Sequence, residues 1–138
     1  MKIKLTNELR SELIQQALQA RQYAYAPYSN YLVGAALLTS SGKVFTGCNV
    51  ESAAYPTSMC AERVAVFKAV SSGERQFAAI AVVTSNGGTP CGACRQVLAE
   101  FGLETVVLVA DTRGKLKQEA ILSELLPGAF TPSDLEKG

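Results

Sequence analysis

Histidine is absent from all 138 residues. That absence removes Ser/His/Asp and Cys/His catalysis, the HExxH zinc proteases and every other metal site that depends on an imidazole. An excess of either charge sign is missing too. Thirteen Lys and Arg stand against 12 Asp and Glu, for a net charge of +1. Nothing electrostatic therefore points to nucleic acid or to a membrane surface. The basic residues are scattered, with no run longer than the Lys115/Lys117 pair. No stretch approaches the roughly 20 apolar residues of a transmembrane helix. Met1 to Arg10 carries charges through the place where a signal peptide would have its apolar core. A cytoplasmic protein is expected, and in that compartment the 4 cysteines read as reduced ligands rather than disulfides.

What the chain does have is enough length for one domain, residues 1–138, burying roughly two-thirds of its unfolded surface. Thr6 is placed to cap a helix, with Glu8 in its first turn. Leu9, Leu13, Ile14, Ala17 and Leu18 recur at helical spacing, which predicts an amphipathic helix to about Tyr23, ended by Pro27. Tyr31 to Thr39 and Val44 to Cys48 read as two strands of an antiparallel hairpin joined at Ser41-Gly42. A helix is expected from Cys60 to Val70 with Gly73 as its stop. Phe77 to Ser85 reads as a central strand covered on both faces. A turn at Asn86-Gly87-Gly88 precedes a helix over Cys91 to Phe101. A strand over Val106 to Ala110, a weak strand near Leu116 and a short helix over Ile121 to Leu126 complete the order. Alternating strands and helices imply a partly parallel, mixed sheet sandwiched by helices, an α/β fold.

The chemistry concentrates in Cys60-Ala61-Glu62 and Pro90-Cys91-Gly92-Ala93-Cys94. Three thiols can hold zinc yet fall one short of closing a tetrahedral site. Structural zinc takes four protein ligands, whereas catalytic zinc keeps a position for water. Glu62 is the carboxylate beside that position. Both cysteine segments sit where helices begin, and helix N-termini lower thiol pKa values. Residues two apart on a helix point about 200° from each other. Cys60 and Glu62 can thus share a site only if Cys60 stands at the very start of its helix. Three thiolates on Zn²⁺ sum to −1, so a cation is needed close by. Arg63 is favoured over Arg95 for that task. Other readings stay open at this point: unrelated buried thiols, a Cys91/Cys94 redox pair, and a closed four-cysteine zinc site that includes Cys48. Cys48 otherwise reads as a small core residue at a strand end.

Cys60-Ala61-Glu62-Arg63 and Pro90-Cys91-Gly92-Ala93-Cys94-Arg95-Gln96 resemble the small cytidine deaminases. Their zinc-deaminase signature is a general pattern and not peculiar to this chain. Ala26-Pro27-Tyr28-Ser29, Val33-Gly34-Ala35-Ala36-Leu37, Gly47-Cys48-Asn49-Val50-Glu51 and Leu125-Leu126-Pro127-Gly128-Ala129-Phe130 extend the likeness to about Leu135. The resemblance implies a three-layer α/β/α sandwich around a mixed five-stranded sheet. It implies one Zn²⁺ per chain on Cys60, Cys91 and Cys94, with hydrolysis of cytidine and 2′-deoxycytidine as in pyrimidine salvage. Glu62 would move protons between water, N3 of the base and the leaving amine. Ala61 would touch the base, Asn49 and Glu51 the ribose hydroxyls, and Tyr31 the nucleoside, where the family usually has Phe. Ser52 stands where the family commonly has Asn. Phe130 would come from a neighbouring subunit, which implies a homotetramer with shared sites acting on a small nucleoside. Alternatives are a deaminase of another cytosine nucleoside such as blasticidin S, and a non-catalytic zinc-stabilised module. Nucleic-acid editing is disfavoured by the neutral charge.

Overall fold

Thr6 begins the first helix as its position predicts. Its hydroxyl accepts the Leu9 N–H at 3.2 Å, and α1 runs Asn7–Arg21 in a computed structural model that describes residues 3–135. The helix stops at Arg21 rather than Tyr23, because the next N–H groups turn back to carbonyls three residues earlier, as in Tyr23 N to Ala20 O. Pro27 lies in the loop beyond and is not what ends it. The following elements are β1 (Gly34–Thr39), β2 (Val44–Cys48), a 3₁₀ turn at Tyr55–Thr57, α2 (Ala61–Ser71), β3 (Phe77–Val83), α3 (Gly92–Ala99), β4 (Val106–Ala110), β5 (Leu116–Ile121), α4 (Leu122–Leu125) and a 3₁₀ turn at Pro132–Leu135.

Five strands form one sheet in the order β2-β1-β3-β4-β5. β3 and β4 are parallel, from Ala79 opposite Val106 to Val83 opposite Ala110, and α3 makes the crossover between them. The other neighbours are antiparallel. Side chains alternate cleanly across the sheet. Ala36, Leu38, Ala79, Ala81, Val83, Leu108 and Ala110 face α1, meeting its Leu13, Ile14 and Ala17. Ala35, Leu37, Ile80, Val82, Val107 and Val109 face α2, α3 and α4. The result is the mixed five-stranded α/β/α sandwich. Each fully buried Leu or Ile contributes about 1.5–3 kcal/mol, so this two-sided core fixes the helices firmly on the sheet.

Two glycines set how close the helices come. A Cβ on Gly34 would collide with the Ala17 carbonyl and sit 2.7 Å from the Arg21 N, so α1 lies directly on β1 there. A Cβ on Gly47 would collide with the Ala61 carbonyl and sit 2.7 Å from the Ala65 N. The first turn of α2 therefore rests on bare backbone of β2. The strand expected over Tyr31–Thr39 begins only at Gly34, and residues 31–33 are held in another way, described below.

Candidate active site

Cys60 and Cys91 occupy the same structural position on different helices. Each immediately precedes a first helical turn and has extended backbone, at φ −76°, ψ 152° and φ −68°, ψ 169°. Neither side chain caps its own helix. The positive dipole ends of α2 and α3 are thus left beside the thiols. Cys94, one turn into α3, is completely buried. Cys60 Sγ lies 4.0 Å from Cys91 Sγ, Cys91 Sγ lies 3.4 Å from Cys94 Sγ, and all three fall within 4.8 Å of one another.

A tetrahedral zinc with bonds near 2.3 Å places its sulfurs about 3.8 Å apart, so this triangle fits that ion. Among the described residues, the metal-binding cluster holds these three cysteines and no fourth ligand. Cys48 stands apart at the end of β2, half-buried, its thiol pushed up by burial. The closed four-cysteine site is therefore not what the chain builds.

The thiols do not share protons evenly. Hydrogen bonding from Cys94, then from Arg63, lowers Cys60 to about 5. Cys94 moves upward, first because it gives its hydrogen to Cys60 and then because it is buried. Arg63 Nη2 donates to Cys60 Sγ at 3.2 Å, which puts the needed positive charge on a ligand sulfur. Arg95 does different work. Its guanidinium donates to Pro90 O at 2.8 Å, Leu125 O at 2.8 Å and Thr89 Oγ1 at 2.9 Å, tying the cysteine loop to the end of α4.

Glu62 is 5% exposed. Burial pushes its carboxyl above the usual carboxylate range, and the Cys60 charge adds to the effect. Because Cys60 lies just outside the helix, Glu62 in the first turn lines one cavity with Cys60 and Cys91, and Cys94 is buried behind them. That cavity measures about 480 Å³, an ordinary size for a small-molecule site. Ala61, fully buried, is on the same wall.

Asn49, Glu51 and Tyr31 line the other side. Asn49 Oδ1 accepts the Val33 N–H at 2.8 Å, and its Nδ2 donates to Tyr31 O at 2.7 Å. Glu51 Oε1 accepts the Tyr28 and Ser29 N–H groups at 3.0 and 3.1 Å, and Oε2 accepts the Ser29 hydroxyl. These bonds, the Ser29 hydroxyl first, lower the Glu51 carboxyl below its usual range. Both side chains thus brace the 28–33 segment while keeping an amide N–H and carboxylate lone pairs for a ligand. Within that segment Asn30 adopts φ 57°, which asparagine tolerates.

Phe130 does not line the cavity. It is 55% exposed, and its carbonyl accepts Gln96 Nε2 at 2.7 Å. Sequence reasoning assigned no role to Ser29, although it ends the Ala26-Pro27-Tyr28-Ser29 stretch. It also passed over Thr84 and Gly88, which line the cavity and announce themselves only as the end of a strand and as part of a turn.

Three converging thiols with no fourth ligand among the described residues, beside a buried carboxylate on an α/β/α sheet, are what the class of zinc-dependent hydrolytic sites requires. The match to known proteins narrows it. Residues 7–110 match the cytidine and deoxycytidylate deaminase zinc-binding region. A cytidine deaminase of Halalkalibacterium halodurans is 52% identical over 129 residues, covering 91% of this chain and 97% of that protein. One of Sporosarcina psychrophila is 49% identical, covering 90% and 93%. The crystal structure of a Burkholderia pseudomallei cytidine deaminase superposes with a TM-score of 0.83 at 49% identity, covering 91% and 99%. The chain belongs to the cytidine and deoxycytidylate deaminase family.

Proposed function

We propose that the chain, acting as one domain, hydrolyses cytidine and 2′-deoxycytidine to uridine and 2′-deoxyuridine, releasing ammonia. The observation that carries this reading is Glu62, a buried carboxylate lining the same cavity as Cys60 and Cys91, two of the three clustered thiols. Cys60, Cys91 and Cys94 would hold one Zn²⁺. When bound, zinc lowers the pKa of a water in its open position and so supplies the nucleophile. The rest falls to side chains. Glu62, with a carboxyl raised by burial, takes the proton from water and places it on N3 of the base. The water oxygen adds at C4. Glu62 then takes the second proton from that new C4 hydroxyl and gives it to the amine, and the C4–N4 bond breaks as the C4 carbonyl forms and ammonia leaves. Arg63 draws charge from Cys60 and keeps the thiol set from becoming too electron-rich. Ala61 backs the base, Tyr31 flanks the nucleoside, and Asn49 and Glu51 take the ribose hydroxyls through the capacity their backbone bonds leave free.

The proposed assembly is a homotetramer in which Phe130 covers a neighbour's cavity. Its support is the exposure of Phe130 and of other aromatic residues such as Tyr23 and Tyr55. Sedimentation velocity checks it. A cytoplasmic location is supported by 4 unpaired cysteines. Among the described residues no helix is long and apolar enough to cross a membrane.

The decisive experiment compares Glu62→Gln with the wild type, measuring bound zinc and the ultraviolet change as cytidine becomes uridine. One zinc per chain with a loss of about 10²–10⁴-fold in kcat is expected. An active Glu62→Gln protein removes Glu62 from its role. Turnover of blasticidin S or free cytosine in place of cytidine would move the substrate assignment.

A further inference from the structure

The Tyr31 ring hydroxyl makes a bond that its place against a nucleoside does not require. It donates to Asn86 Oδ1 at 2.7 Å across 55 residues of sequence. Asn86 Oδ1 also accepts the Thr84 hydroxyl at 3.3 Å, and Thr84 Oγ1 in turn accepts the Gly88 N–H at 2.8 Å. Thr84 is buried at the end of β3, so the chain of bonds is anchored in the sheet. At the other end, Tyr31 is held by its backbone. Its N–H donates to Ser29 Oγ at 3.1 Å and its carbonyl accepts Asn49 Nδ2 at 2.7 Å. Two loops that wall one cavity are therefore joined: 28–33, which Asn49 and Glu51 brace, and 84–89, which leads straight to Cys91.

The fit around this bond is selective. A Cβ on Gly88 would lie 2.7 Å from the Tyr31 hydroxyl oxygen. Gly88 is not among the residues with positive φ, so its backbone suits alanine and the obstacle is this hydroxyl alone. A phenylalanine at position 31 would neither make the bond nor fill the space.

We infer that the Tyr31 hydroxyl, Asn86 and Gly88 form a clasp that presets the nucleoside cavity, with Asn86 a positioning residue for substrate binding. The clasp fixes the ring and the 84–89 loop before a ligand arrives, so less order is lost on binding. Nothing in the clasp touches the reacting atoms, and its effect belongs to binding rather than to the chemical step. The inference rests on the proposed nucleoside substrate.

The test titrates cytidine calorimetrically into proteins that all carry Glu62→Gln, so that binding is read without turnover. Tyr31→Phe and Asn86→Ala are each expected to weaken binding by about two- to tenfold, the range for one neutral hydrogen bond. The double variant should be no weaker than the weaker single, because both remove the same bond. Gly88→Ala should weaken binding when Tyr31 is present and cost nothing further with Tyr31→Phe. In proteins that retain Glu62, KM should rise more than kcat falls. Melting temperatures of the same proteins confirm that each one folds. Multiplying losses in the double variant, or equal harm from Gly88→Ala in both backgrounds, overturns the clasp while leaving the substrate assignment intact. A wild type that neither binds nor converts cytidine overturns both.

Discussion

The thiol side and the loop side of the cavity are built on opposite principles. Cys60, Cys91 and Cys94 converge because two helices begin at one point, and the sulfurs find partners chiefly in each other and in Arg63. Asn49, Glu51 and Ser29 sit on loops, and each is already bonded to neighbouring backbone or to the others. One side offers unsatisfied ligands on a rigid frame. The other is a satisfied network that holds a loop and spares a few polar positions for a ligand. Motifs mark the first kind of site, since a metal demands particular atoms at particular spacings. The second kind is spread over segments that meet only after folding.

The contrast can be broken at its strongest point. Cys94→Ala removes a fully buried ligand, and the expected result is loss of zinc by atomic absorption together with activity below detection. Full zinc occupancy in that variant would show that the thiols are not the ligand set. Extended chelation of the unmodified protein should give the same loss, reversed by added Zn²⁺.

A smaller effect tests the frame itself. Gly47→Ala places a methyl group against Ala61 and Ala65 at the start of α2. Overpacking of this kind costs about 1–3 kcal/mol, readable as a lower midpoint in urea, and kcat should fall because Cys60 and Glu62 ride on that turn. A protein of unchanged stability would mean that the helix shifts without effort.

The mildest change addresses the loop side. Ser29→Ala removes the largest of the influences that lower the Glu51 carboxyl. The sign follows from that direction: the bonded carboxylate stays ionised as pH falls below the ordinary carboxylate range, and its contribution is lost only when pH drops through the lowered value. Without the Ser29 hydroxyl the carboxyl should titrate at a higher pH, and the acid-side rise in KM should move upward with it. An unmoved titration by NMR would separate Ser29 from Glu51.

The same contrast explains how much was legible in the sequence. The bounds of β4 follow from an uninterrupted strand-forming run, those of β2 from a run that keeps its register through Gly47, and the start of α2 follows from the demand that Cys60 and Glu62 share a site. Tyr31-Leu32-Val33 reads as strand by composition but is not one. The Asn49 side chain takes the Val33 N–H and the Tyr31 carbonyl that a ladder would have used. No local pattern encodes that substitution, because the partner lies in a different loop. Asn86 escaped notice for a related reason. Asn-Gly-Gly is a good turn signal, and the turn explains the residue without its bond to Tyr31. The 3₁₀ turn at Tyr55–Thr57 carries only a Pro within its first residues as a cue.

Leaving Cys60 and Cys91 without capping bonds has a consequence for how the molecule assembles. The face bearing α1 has its own core of Leu13, Ile14, Ala17, Leu38 and Leu108 and owes nothing to the thiols. The first turns of α2 and α3, by contrast, are joined through the thiols of Cys60, Cys91 and Cys94, which would share a single ion. At that edge of the protein, acquiring the metal and finishing the fold become one event.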